Sequence, residues 1–76
     1  MPHTIAAELV ANVAVVSVRV GDTVTRTDTV VLLESMKMEI PVLAEVDGIV
    51  SEIAVQPGDV IREGDVIAVI DETAPA

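Results

Sequence analysis

The sequence predicts an all-β fold: eight short strands arranged as a small barrel or sandwich with two-fold pseudo-symmetry. Three observations lead there. The apolar residues are aliphatic and mostly β-branched, with sixteen valines and seven isoleucines against four leucines, and Phe, Trp and Tyr are absent. Such side chains are stiff at χ1 and suit a pleated, half-buried surface. No segment keeps a helical period over a helix-length window. Finally, the chain matches itself when shifted by 37 residues.

The internal match runs without a gap. Val13 falls on Val50, Val16 on Ile53, Val18 on Val55, Gly21 on Gly58, Asp22 on Asp59, Val24 on Ile61 and Asp28 on Asp65. Val30, Leu32 and Leu33 then fall on Ile67, Val69 and Ile70, and Glu34 falls on Asp71. Both copies break apolar alternation at the same place, near 13–16 and 50–53, which predicts a shared bulge. Two copies are too few for a solenoid, so a two-fold domain spanning 1–76 is the better reading.

Strands are expected at 4–10, 13–19, 23–25, 29–35, 38–44, 49–56, 60–62 and 66–71. The first and second flank Ala11-Asn12. Val20-Gly21-Asp22 ends the second, and its repeat mate Pro57-Gly58 suits a type II turn. The third ends at Thr27-Asp28, the mate of the turn at Gly64-Asp65. The fourth and fifth join around 35–38. Asp47-Gly48 opens the second copy, which repeats the order. Val18 and Val55 are expected in the core, His3 near a frayed start, and 72–76 as a disordered tail.

Composition removes several function classes. With 76 residues and no cysteine, there is neither a disulfide nor a thiolate metal site. A net charge of −9 argues against nucleic acid and against anionic membrane surfaces. The apolar stretches are far shorter than a membrane span. The start, MPHTIAAE, lacks a secretory pattern, so a cytoplasmic protein is expected.

Lys37 is the sole lysine, in the run Glu34-Ser35-Met36-Lys37-Met38-Glu39. The repeat places it at or beside a hairpin tip, because the first copy ends near Glu34 and the chain must turn back there. That tip lacks the Gly, Asn or Asp that a tight hairpin favours. A local rule is broken where function is often found. Met36 and Met38 cannot both reach the core from such a tip. Exposed apolar groups around one amine suggest a recognition patch, although methionine is more often core filler. Glu34 and Glu39 are close enough in sequence to attract the ammonium. Read blandly, they are ordinary hairpin flanks, and a lone exposed lysine is a solvated charge.

ESMKM followed by EIPVLAEVDG resembles the biotinyl (biotin carboxyl carrier) domain of the biotin/lipoyl attachment family, from about Ile5 to Asp71. The Val-x-x-Gly-Asp segment stands in both halves. The resemblance also extends to short free-standing biotinylated proteins of bacteria. It implies a flattened barrel of two four-stranded antiparallel sheets. It further implies that a biotin protein ligase attaches biotin to Lys37, with Met36 and Met38 as flanking recognition residues and Glu34, Ser35 and Glu39 completing the hairpin. Such a protein is a non-catalytic carrier, moving carboxylate between biotin carboxylase and carboxyltransferase partners. Ala11, Thr27 and Glu45 depart from the family pattern, where Gly, Gly and Pro are usual; a β-branched Thr27 is costly if its φ is positive. Two alternatives remain. One is a lipoyl carrier, against which Met36 and Met38 argue; the other is an unmodified lipoyl-like interaction module.

Overall fold

The computed structural model describes residues 1–72, and no helix occurs among them. The strands are β1 (Pro2–Ala6), β2 (Ala11–Val16), β3 (Thr23–Val24), β4 (Thr29–Ser35), β5 (Met38–Leu43), β6 (Gly48–Ile53), β7 (Val60–Ile61) and β8 (Val66–Glu72). They form two antiparallel four-stranded sheets, ordered β1-β8-β6-β3 and β5-β4-β2-β7.

The 37-residue shift carries β2 onto β6, β3 onto β7 and β4 onto β8, residue for residue. Yet the halves do not each build a sheet. One sheet takes its outer strands, β1 and β3, from the first half and its inner strands, β8 and β6, from the second. The other sheet does the reverse. Neither half can satisfy its own edges without the other.

The expected bulges are present. Pairing slips between Val13 and Val15 in β2 and between Val50 and Glu52 in β6, so the extra residues are the repeat mates Ala14 and Ser51. A second matched pair of slips leaves out Val30 on β4 and Ile67 on β8. The bulges at Val30 and Ile67 turn two successive residues inward, Val30-Val31 and Ile67-Ala68, all four fully buried, whereas those at Ala14 and Ser51 leave two successive residues exposed, Ala14-Val15 and Ser51-Glu52.

Four turns share one device. Asp22, Asp28, Asp59 and Asp65 each close a four-residue turn, the amide of the Asp donating to the carbonyl of Arg19, Thr25, Gln56 or Arg62. In return the carboxylate accepts the amide N–H of that same first residue, at 2.9–3.0 Å. These reciprocal brackets satisfy backbone donors where no strand can. Gly21, Gly58 and Gly64 take positive φ within three of them. Thr27, the mate of Gly64, does not, so the expected strain is absent there. The left-handed residue stands instead on the facing segment, at Glu45 with φ 70°. The amide of Glu45 donates to the carbonyl of Arg26 at 3.0 Å. Proline could not hold that φ, which accounts for one departure from the family pattern.

Several boundaries differ from expectation. The first strand begins at Pro2 and ends at Ala6, and His3 is paired opposite Ile70 rather than frayed. Residues 17–19 and 54–56 leave the sheet to enter the bracketed turns, so β2 and β6 stop early. Glu72 belongs to β8, its amide donating to the Met1 carbonyl at 2.9 Å. The rest of the expected tail, 73–76, lies outside the described residues.

The core is wholly apolar, with no buried polar side chain among the described residues. It is built from repeat mates: Ala7 and Ala44, Val13 and Val50, Val24 and Ile61, Val30 and Ile67, Leu33 and Ile70. Val18 and Val55, expected in the core, only pack against its margin. Because they are half-exposed, an acidic side chain there can turn to water. The molecule is elongated, 42 × 18 × 17 Å. β5 carries the chain away from the 35–38 turn toward Gly48, which pairs with Glu72. The turn and the paired chain ends therefore lie at opposite ends.

Two stability predictions follow the packing. Gly48 needs its missing side chain, since a Cβ there meets the Asp71 carbonyl oxygen and lies 2.9 Å from Ile70 Cγ2. Gly48→Ala should destabilise by about 1–3 kcal/mol, the usual range for forced overpacking; unchanged thermal unfolding contradicts this close approach. Val30→Asp, at a fully buried site, should prevent cooperative folding by burying an unpaired charge, whereas Val18→Asp should still fold. Circular dichroism melts distinguish the two.

Candidate functional site

β4 and β5 form a hairpin whose ladder runs Leu33↔Ile40, Glu34↔Glu39, Ser35↔Met38. Only Met36 and Lys37 remain to make the turn. Both take positive φ, 51° and 68°, as a type I′ connection requires. Neither residue suits it, because the left-handed region costs an L-residue with a Cβ roughly 1–2 kcal/mol. The broken turn rule at this tip is thus a real conformational cost. It is held in place from below by Leu33, which is 1% exposed, and by the rest of the ladder.

The tip carries its side chains into water. Met36 is 91% exposed and Met38 63%. Lys37 is exposed and makes no hydrogen bond or ion pair with any described residue. Glu34 and Glu39 lie opposite each other on the ladder and neither forms an ion pair with Lys37. The expected attraction does not become a contact. The pairing instead sets two like charges side by side, which weakens the hairpin slightly.

Ser35 does more than flank. Its Oγ donates to the carbonyl of Val10 at 3.2 Å, tying the hairpin base to the segment between β1 and β2. Val10 is itself 61% exposed and so adds an apolar group beside the tip. Sequence reading missed Val10. The contact spans 25 residues, and no local pattern foretells it.

The chemistry available is that of one nucleophilic amine. No described side chain lies within hydrogen-bond reach of it, so the site itself holds no base for the amine's reaction. Among the described residues no group of three or more His, Asp or Glu could hold a metal ion. No helix is long and apolar enough to cross a membrane.

The turn strain yields a prediction at this site. Met36→Asn should stabilise the protein by about 1 kcal/mol, because Asn tolerates the left-handed region that Met resists. A lower melting temperature for Met36→Asn would contradict the φ assigned to the tip.

Comparison with known proteins sets this geometry in context. A family model described as biotin-requiring enzyme matches residues 1–70. The biotinylated protein TB7.3 homolog of Mycobacterium leprae is 59% identical over 70 residues, covering 92% of this chain and 99% of that one. Among solved structures, a single-chain, multi-domain long-chain acyl-CoA carboxylase superposes with a TM-score of 0.88 at 28% identity, over 95% of this chain and 7% of the larger one. The lipoyl domain of the 2-oxoglutarate dehydrogenase complex of Azotobacter vinelandii superposes with a TM-score of 0.80 at 28% identity, over 93% of this chain and 98% of that domain.

Proposed function

The chain belongs to the biotin-requiring enzyme family of biotin- and lipoyl-attachment domains, and on that premise we propose that it carries biotin as an amide on Nζ of Lys37. One observation carries the reading. The sole lysine stands at the apex of a two-residue turn, exposed and without a partner. An amine so placed can enter another protein's active site without unfolding anything.

The residues around it divide the work. The ladder and Leu33 hold the amine at a fixed place on a rigid body. Met36 and Met38 offer a biotin protein ligase an apolar grip on either side of the target. Glu34 and Glu39 are too far from ion pairing to compete for the amine. When bound, biotin supplies a ring nitrogen that accepts and releases carboxylate. The protein's part is to present that ring in turn to a biotin carboxylase and a carboxyltransferase. Tethering raises the effective concentration of the ring at both sites far above that of free biotin. Acylation also removes one positive charge from a chain that already bears −9, so basic rims on those partners suit it.

A lipoyl carrier is the second reading, favoured by the fit to the lipoyl domain. The methionine pair at the tip weighs against it. Intact mass after co-expression with a biotin protein ligase decides between them. Wild-type protein should gain one biotin, and Lys37→Arg should gain none while keeping its melting temperature within about 4 °C, since surface substitutions rarely matter beyond ±0.5 kcal/mol. Lipoate on the wild type, or biotin on Lys37→Arg, refutes the assignment.

A further inference from the structure

A groove of about 260 Å³ lies between β1, with the segment that follows it, and β5. It straddles the pseudo-two-fold relation. Ile5, Ala6 and Glu8 on one wall have Val42, Leu43 and Glu45 as repeat mates on the other. Its lining is nonetheless lopsided. Leu33 and Ile40 belong to it, whereas their mates Ile70 and His3 do not.

The cause is visible at each end. In place of a second Ile40 stands His3, whose Nε2 lies 3.0 Å from Oε1 of Glu45. That polar pair closes the end near the chain termini. The other end reaches Leu33 and Ile40, which face each other two ladder positions below Ser35 and Met38. There the Ser35 hydroxyl holds the neighbouring segment against the hairpin through Val10. The groove is therefore directed toward the amine.

We propose that this groove is a resting cradle for the biotin carried on Lys37. The proposal rests on the carrier reading above. From Lys37 to Ile40 is three residues, roughly 10 Å along a strand at ~3.4 Å per residue. The four methylenes of lysine and the four of the biotin side chain, in series, span that gap. Ile40 and Leu9 supply apolar walls for the fused ring at the groove's near end. Glu8, on the segment that Ser35 ties to the hairpin through Val10, is an acceptor-only carboxylate on the rim. The ureido group of biotin presents N–H donors, which match it. Apolar walls with a few placed polar groups are the usual make-up of a small-molecule site.

Nuclear magnetic resonance on the methyl-labelled full chain tests this. The protein is prepared unmodified, acetylated on Lys37, biotinylated there by a ligase, and biotinylated there chemically with a biotin ester. Biotin but not acetyl should shift the methyl signals of Leu9 and Ile40 and give nuclear Overhauser contacts from the ring protons to them. In Glu8→Gln those shifts should shrink while the signals of residues 35–38 stay as in the biotinylated wild type. Perturbation confined to 35–38 in biotinylated protein overturns the cradle and leaves the carrier reading intact. Refusal by the ligase, with the chemically attached ring still seated, supports the cradle and refutes the carrier reading.

Discussion

Every feature of this molecule depends on strands paired across the two halves of the chain. Each sheet takes its inner strands from one copy of the repeat and its outer strands from the other. Each half pairs its own inner strands, β2 with β4 and β6 with β8, but takes its sheet edges from the other half, so the full ladders and core burial form together. The strained Met36-Lys37 turn survives for this reason. Its left-handed residues are unfavourable in isolation, but β4 is simultaneously paired to β2 and β5 and pinned by Leu33. Strain persists where surrounding structure over-determines a conformation.

Much of the fold was legible in the residues. The valine-rich composition foretold strands, and the 37-residue match foretold matched elements. The shared break in alternation foretold the bulges at Ala14 and Ser51. The exchange of strands was not legible, because alternation says which face a residue takes and not which strand lies beside it. Nor was the shift of left-handed geometry from Thr27 to Glu45. That depends on how two distant segments meet, at Arg26 and Glu45. Position 37 at a tip could be read from the repeat and the motif. The Ser35–Val10 tie and the lopsided groove could not, since both join residues far apart in sequence.

The site is as informative in what surrounds the amine as in the amine itself. Exposed methionines normally weaken a soluble surface, and here two flank a turn that a different pair of residues would make more comfortably. The like charges of Glu34 and Glu39 across the ladder add a further small cost. Three local penalties fall at one tip, and broken local rules of this kind mark functional sites. The rest of the domain offsets them with an uninterrupted aliphatic core and four bracketed turns.

β1 begins at Pro2 and β8 ends at Glu72, side by side and remote from the hairpin. Polypeptide appended at that base leads away from the working tip. The architecture is consequently a plug-in unit: evolution can solder it onto a giant multifunctional polypeptide, or leave it solitary, without redesigning its business end. That indifference to context suits a shape found both as 7% of a large carboxylase and as nearly the entire length of a small mycobacterial relative.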